Sequence, residues 1–503
     1  MQDDFAQASE QGSLTRSTIH GVFWITATRA IKVPLNLLSI AVLARLLTAT
    51  DFGIVAIGAV IVSLSNVLVD GSFGMVLIQR HKLDSRLIGA SVALSSGLAV
   101  LFAIAVMAAA PSIEKAFAFP ELGTVLLVLG AVLPVTAVTM ITTALLQRDF
   151  QFSVLTRNAL GSQLTYTGLA IGLALAGMGL WSLVWAQVAS FIVEALLGFL
   201  AVRKRYSIRF SASGIRDVWK MGGMFTVSRL LNWGAYSVDS IIIGRFVGAA
   251  DLGFYSRALA LTTTVRQLTG TGPMRVLFPS FSKIQHDPAR MAKGYLRALS
   301  VTLILATLIS LFIIVNADII VRILLGPHWQ PTIALIQILF AAFAARTGYI
   351  VAESVPLALG LSGQSALRQG AQVLLVSIGA GVGAQFGVFW ATVGVAIAYW
   401  IFYFICLLLV QQLLPLRWGE IFRLHFNGLL LAIPPAVAAL AVRPLISNGN
   451  LFLQLIPPTV FCATAAVVLV ISPAALVSDD IVRARNMVWR RLAPYLGVLQ
   501  LHR

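Results

Sequence analysis

About fourteen stretches of this chain stay apolar for long enough to cross a membrane, and that limits the fold more than any other feature. A hydrocarbon core of ~30 Å needs ~17–25 residues of helix. The stretches cover residues 20–44, 53–78, 87–110, 122–146, 157–177, 179–202, 219–244, 253–279, 295–320, 331–358, 368–385, 387–412, 426–442 and 452–472. Backbone amides inside lipid must be satisfied internally, which leaves helices and closed barrels as spanning structures. These runs lack period-two alternation and exceed the ~10 residues of a barrel strand, so the barrel is excluded. Gly177-Met178-Gly179 and Gln385-Phe386-Gly387 predict very tight turns between neighbouring spans. The expected fold is therefore an all-α polytopic membrane protein.

Composition agrees. Charged residues are 11% of the chain and apolar ones 58%, against ~25% charged for an average soluble domain. Cys406 and Cys462 each sit inside an apolar run, with neither a disulfide framework nor metal spacing. Asp3, Asp4 and Glu10 outweigh Arg16 ahead of the first apolar stretch, so no positive n-region precedes it. That stretch is expected to be an uncleaved first helix.

The net charge of +17 is distributed by topology. Alternate connections carry Arg80, Lys82 and Arg86; Arg148 and Arg157; Arg203, Lys204, Arg205, Arg209, Arg216 and Lys220; and Lys283, Arg290, Lys293 and Arg297. The C-terminal segment adds Arg483, Arg485, Arg490 and Arg491. The intervening connections hold few basic residues beyond Arg45, Lys115, Arg245, Arg322 and Arg443. The positive-inside rule then predicts both termini in the cytoplasm, and nucleic acid is not an expected partner. The segment 481–492 would lie along the inner leaflet as an interfacial helix or be a solvated tail.

An internal repeat organises the chain. Arg45-Leu-Leu-Thr-Ala-Thr-Asp51-Phe-Gly53 recurs about 200 residues on as Arg245-Phe-Val-Gly-Ala-Ala-Asp251-Leu-Gly253. In the same register Thr26 meets Thr226, Arg29 meets Arg229 and Val76-Leu77 meets Val276-Leu277. Each repeat holds six spans, and an even number leaves both copies in one orientation, related by an axis along the membrane normal. The expected organisation is a cytoplasmic N-terminus at 1–18, six-helix bundles at 19–205 and 219–412 joined by a linker at 206–218, two added helices within 425–472, and a basic tail at 473–503.

Polar residues inside the spans point to function. Arg29, Lys32, Asn36 and Ser39 recur at helical spacing on one face of the first span. Arg229, Asn232, Tyr236 and Asp239 repeat that spacing in the seventh. Ser63, Asn66 and Asp70 mark the second span; Thr263, Arg266 and Gly270 mark its counterpart, with Arg257 nearer the end; Arg346 and Glu353 lie seven apart in the tenth. Six intramembrane cations at ~2.5–3.5 kcal/mol each would cost ~15–20 kcal/mol if they met lipid alone. They must face water, a carboxylate such as Asp70, Asp239 or Glu353, or an anionic ligand. The doubled stripe and the excess of cations favour a central cationic cavity. Arg binds phosphate oxygens in bidentate fashion, so a diphosphate carrying sugars would fit. Trp233, Tyr236 and Tyr349 would stack on sugar rings or simply pack. Asp70, Asp239, Glu194 and Glu353 are the acids placed to couple H⁺ or Na⁺. Pro34, Pro134, Pro273, Pro279 and Pro356 mark places where a span would bend. There is no HExxH pair, no CxxC and no phosphate loop, so neither an enzyme nor a resident cofactor or metal is expected.

Several segments resemble the Wzx-type polysaccharide flippases of the multidrug/oligosaccharidyl-lipid/polysaccharide exporter superfamily, in particular the colanic acid and exopolysaccharide branch. They are Ala44-Arg-Leu-Leu-Thr-Ala-Thr-Asp-Phe-Gly-Ile-Val-Ala56, Ile243-Gly-Arg-Phe-Val-Gly-Ala-Ala-Asp-Leu-Gly-Phe-Tyr255, Val276-Leu-Phe-Pro-Ser-Phe-Ser-Lys-Ile-Gln285, Gln147-Arg-Asp-Phe-Gln-Phe152 and Leu325-Gly-Pro-His-Trp329. The resemblance covers nearly the whole chain. It implies a V-shaped, pseudo-symmetric pair of six-helix bundles like those of multidrug (MATE) exporters, alternating between inward-open and outward-open states. It implies translocation of undecaprenyl-diphosphate-linked oligosaccharide, with membrane lipids, a polysaccharide polymerase and chain-length or export proteins as partners. In the related lipid II flippases basic residues of the first span line the cavity, and Arg29 and Lys32 occupy matching positions. Two extra helices form a lipid-tail groove there, which residues 426–442 and 452–472 would provide. The rival expectations are an ion-coupled small-molecule antiporter, which would want acidic cavity residues, and a polymerase, which would want a large external loop.

Overall fold

In the computed structural model the described residues are 24, 27–70, 73–79, 85–206, 215–269, 271–445 and 451–472, and they are helical with no strand among them. Nine of the described helices are long and apolar enough to cross a membrane. Several others are as long but carry more polar residues. In chain order the helices of the first six expected spans are α1 (Ala27–Leu46), α2 (Ala49–Asp70), α3 (Phe73–Gln79), α4 (Ser85–Phe117), α5 (Leu122–Arg148), α6 (Phe152–Leu175) and α7 (Leu180–Val202). The next six are formed by α8 (Ile215–Phe246), α9 (Ala249–Thr269), α10 (Thr271–Lys283), α11 (Pro288–Leu324), α12 (Pro331–Ala341), α13 (Phe343–Ala358), α14 (Ser362–Ala384) and α15 (Val388–Leu413). After them come α16 (Trp418–Val442), α17 (Leu451–Gln454) and α18 (Ile456–Ile471). The chain is a polytopic, all-helical membrane protein.

The described part of each of the fourteen apolar runs falls almost wholly on helix. The described residues of 53–78 lie on α2 and α3, those of 253–279 lie on α9 and α10, and residues 331–358 are interrupted at Ala342. The 426–442 run belongs to a helix that starts at Trp418, because Glu420 closes a capping box by accepting from the Arg417 amide at 3.1 Å. Polar side chains in that first turn hid its start. The short turns are where the glycines predicted them: Gly177, Gly179 and Gly387 all have positive φ, 81°, 52° and 101°.

The chain divides into two compact units. The first contains residues 1–256 and 324–328, the second 257–323 and 329–503. The tail at 473–503, the N-terminus at 1–18 and Arg80, Lys82 and Arg209 lie outside the described residues.

In the first unit, α2, α4 and α5 meet through Val69, Ala99 and Ala137, all at most 1% exposed. Small residues at crossings are what lipid demands, since apolar burial gives helices no preference for each other over acyl chains. Gly198 of α7 lies so close to α5 that a Cβ there would stand 2.4 Å from the Thr142 hydroxyl. The end of α4 caps the start of α5: Glu114 accepts from the Gly123 amide at 3.1 Å, placing a carboxylate at a helix N-terminus.

The second unit packs around α11 and α15. Phe402, Tyr403, Cys406 and Val410 of α15 are buried against Tyr295, Leu299 and Leu303 of α11 and Val351 and Val355 of α13. Helix α11 bends at Asn316, whose φ and ψ are −105° and 15°. The bend is locally compensated, because the Asn316 amide donates to the Phe312 carbonyl at 2.7 Å and Gln337 donates to the Ile314 carbonyl at 3.1 Å. Helix α16 lies on α11, with Gly428 against Thr307, and α18 covers both through Phe461 and Ala465. Helices α14 and α15 cross backbone to backbone at Gly379 and Gly394. Along the crossing they leave an apolar groove of 440 Å³ beside Ile378, Val382, Trp390 and Ile401.

Candidate functional site

Both repeat-related stripes lie in the first unit. Arg29, Lys32 and Asn36 on α1 are half-buried, while Ser39 is buried. On α8, Arg229 and Tyr236 are half-buried, Asn232 is exposed and Asp239 is buried. Helix α8 bears on α2, α3 and α4, which brings its polar face to the polar positions of the second span. The Trp233 indole donates to Ser63 Oγ at 2.8 Å. One turn further along α2, Asn66 is half-buried and its side-chain oxygen has no hydrogen-bond partner. Trp233, expected as a stacking surface or as packing, is therefore a hydrogen-bonded strut between two polar faces. The Asp70 side chain lies outside the described residues.

Two carboxylates of this unit, Asp239 and Glu194, are engaged by hydroxyl and amide groups. Asp239 accepts from the Tyr255 hydroxyl at 2.6 Å and from the Ser240 amide at 2.7 Å. Glu194 of α7 accepts from Ser162 of α6 at 3.2 Å and is the acid that acts electrostatically on Lys32. Thr28 shares a hydrogen bond with Thr156 at 2.7 Å, fixing α1 against α6 just beside Arg29.

In the second unit Arg257 and Arg266 are half-buried on α9. Arg346 is 3% exposed and its guanidinium lies 4.4 Å from the centre of the Tyr399 ring, a cation–π contact. Glu353 meets Arg368 fork to fork, with Nε to Oε2 at 3.0 Å and Nη2 to Oε1 at 2.9 Å. Arg368 was not among the sequence candidates, because it stands at the predicted edge of a span. Nearby, Tyr403 donates to His425 Nε2 at 3.2 Å, and His425 Nδ1 lies 2.9 Å from the Ile421 carbonyl. That carbonyl can only accept, so the ring proton sits on Nδ1.

The Gln147-Arg-Asp-Phe-Gln-Phe152 segment explains itself in this structure. Arg148 reaches the Leu77 carbonyl at the end of α3, at 2.7 Å, and so caps a seven-residue helix. Asp149 accepts from the Tyr206 hydroxyl at 2.6 Å and pairs with Arg205 at 3.5 Å. Partial burial and that carboxylate push the Tyr206 phenol up to about 12. Among the described residues no group of three or more His, Cys, Asp or Glu side chains is placed to hold a metal.

Comparison with known proteins shows the family and the fold. The family described as polysaccharide biosynthesis protein matches residues 42–334. The lipopolysaccharide biosynthesis protein WzxC of Escherichia coli (strain K12) is 25% identical over 335 residues, 65% of this chain and 67% of that protein. The succinoglycan biosynthesis transport protein ExoT of Rhizobium meliloti (strain 1021) is 24% identical over 320 residues, 62% of this chain and 64% of its own length. Among solved structures, the lipid II flippase MurJ in an inward closed conformation superposes with a TM-score of 0.73 at 12% identity, covering 94% of this chain and all but 1% of that one (99%). An inward-facing MATE multidrug transporter of the MOP superfamily gives 0.61 at 14% identity, over 78% of this chain and 97% of that one. At these identities the two structures establish a shared fold.

Proposed function

Because the chain belongs to the polysaccharide biosynthesis protein family, which matches more than half of it, we propose that it is a flippase for lipid-linked oligosaccharide. The cargo is an undecaprenyl-diphosphate-linked repeat unit, moved from the inner to the outer leaflet of a bacterial cytoplasmic membrane by alternating access. The observation that carries the proposal is the pair of repeat-related stripes that begin at Arg29 on α1 and Arg229 on α8, the second joined to the polar face of α2 through Trp233 and Ser63.

The physical logic is differential solvation. The polyprenyl chain is at home in the bilayer, so the protein needs to shelter only the diphosphate and the sugars. Arg29, Lys32, Arg229 and Arg266 supply positive charge to the diphosphate, and Arg guanidinium groups suit it by bidentate geometry. Arg257 and Arg346 extend that charge, and Asn36, Asn232 and Tyr236 offer hydrogen bonds to sugar hydroxyls. Asp239 and Glu353 are the acids proposed to sense the driving ion, with Asp70. Six-span repeats at 19–205 and 219–412 would rock against each other, with both termini in the cytoplasm. The flipped unit would pass to a polymerase and to chain-length and export proteins. Kinship with polysaccharide biosynthesis and transport proteins favours this cargo over a small-molecule antiport substrate.

The test is export. In cells deleted for the chromosomal copy, the wild-type chain restores surface polysaccharide, and the Arg29→Ala, Arg229→Ala double variant should not. With the variant, the lipid-linked intermediate should accumulate on the cytoplasmic side. Normal export by the double variant at wild-type membrane abundance would refute the role assigned to these residues.

A further inference from the structure

The two copies of the repeated Asp-x-Gly motif meet each other. Gly53 stands one turn into α2 and Gly253 one turn into α9, and both belong to the first compact unit. A Cβ built on Gly53 would lie 1.8 Å from the Ala249 carbonyl oxygen, and one built on Gly253 would lie 1.8 Å from the Ala49 carbonyl oxygen. The contact is reciprocal. Each glycine lies against the main chain four residues before the other, so the pair obeys the same twofold relation as the sequence repeat.

The obstruction is backbone on both sides. The next-nearest atoms are the carbonyl carbons, at 2.7 Å and 2.5 Å. No rotamer change can make room, and hydrogen is the only substituent the seam admits at either position. This approach is the one in which Cα–H groups point at carbonyl oxygens, a weak, directional interaction recurrent at helix crossings. The flanking Phe52 and Leu252 are buried, 2% and 0% exposed, and seal the crossing. At α2 the motif's acid also fixes the helix start: Asp51 accepts from the Thr48 amide at 2.9 Å and from its hydroxyl at 2.8 Å.

A second glycine crossing in the chain provides a contrast. Gly379 and Gly394 also meet backbone to backbone, but they join α14 and α15, consecutive helices of one hairpin linked by a three-residue turn. That crossing has no reason to open. Gly53 and Gly253 join helices about 200 residues apart, one from each copy of the duplication. The basic-residue bias places both helix starts at the outer face, where the proposed cargo must leave.

We infer that the Gly53–Gly253 seam is the outer closure of the translocation path, shut in this structure, and that it must part in every transport cycle. The inference rests on the flippase reading and adds the place where the path is sealed. Such a seam suits a gate: two bare backbones fit closely enough to exclude a hydrated headgroup.

The experiment locks the seam rather than damaging it. Thr50 and Ala250 are exposed, repeat-related and beside the two glycines. In a background with Cys406→Ala and Cys462→Ala, Thr50→Cys and Ala250→Cys would be joined in cells by short, reducible thiol cross-linkers of graded length. Cross-linked cells should lose surface polysaccharide at least about tenfold, because one of the two required states can no longer be populated. Reduction should restore export, and each single cysteine variant should export normally. Failure of every linker to join the pair, or undiminished export by the cross-linked protein, would overturn the gate. The flippase proposal would survive either result, since it falls only if the unmodified chain fails to restore export. As a second arm, Gly53→Val and Gly253→Val should each cut export at normal abundance, whereas Gly97→Val, where a Cβ meets nothing within 4 Å, should not.

Discussion

Replacing Arg368 by Leu isolates the energetics of the Glu353–Arg368 fork. The two side chains are 14% and 9% exposed, so neither charge is well solvated. Two charge-assisted hydrogen bonds at 3.0 Å and 2.9 Å hold the carboxylate between α13 and the first turns of α14. Removing one member of a buried pair costs about 3–5 kcal/mol, since the remaining charge keeps its desolvation penalty and loses its main compensation. At about 2–4 °C per kcal/mol for a unit of this size, Arg368→Leu should lower the unfolding midpoint in detergent by about 6–20 °C. The Glu353→Leu, Arg368→Leu double variant should recover most of that loss, because a well-packed apolar pair of similar volume is about neutral relative to the ion pair. Unfolding would be followed by tryptophan fluorescence or by thiol labelling of buried Cys406. A shift under about 2 °C for the single variant, or a double variant no better than the single, would show that the fork does not carry the stability assigned to it. Measuring export alongside separates two roles for Glu353. If the double variant is stable yet silent, the acid serves transport as well as structure.

Two further predictions concern contacts away from the stripes. Gly198→Ala should destabilise the protein by about 1–3 kcal/mol through overpacking on Thr142, and Thr142→Ala should relieve most of it, which a thermal-stability double-mutant cycle would read directly. Tyr206 should titrate near 12, with the Asp149→Asn variant moving it toward the ordinary phenol value in an ultraviolet titration referenced to Tyr206→Phe. Since the folded-state value is raised, its contribution to stability is complete below the unfolded value and fades as pH climbs through the folded one. An unshifted phenolate transition would mean that the Asp149 contact is not formed in solution.

Much of the architecture was legible because lipid enforces it. A chain that must hide every amide in helices reveals them as apolar runs, and the described part of every run lies almost wholly on helix. The repeat was legible for a stricter reason: at Gly53 and Gly253 only one residue type fits, so two otherwise diverged segments kept the same letters. Interactions between distant segments were not legible. Nothing about the fifteen-residue spacing of Glu353 and Arg368 reports that a turn folds one over the other. Trp233 and Ser63, 170 residues apart, carry no periodic signal at all. The break at Ala342 was hidden because no glycine or proline marks it. The bend at Asn316 was hidden because a single polar residue in a long apolar run is ambiguous until its hydrogen bond is seen.

The way α11 bends differs from a proline kink. A proline kink leaves the carbonyl four residues back without its backbone donor, which must come from elsewhere. Asn316 instead carries its own substitute donor to the Phe312 carbonyl, so the deformation and its remedy are encoded by one codon. The bend and its compensating hydrogen bond are therefore centred on the same residue.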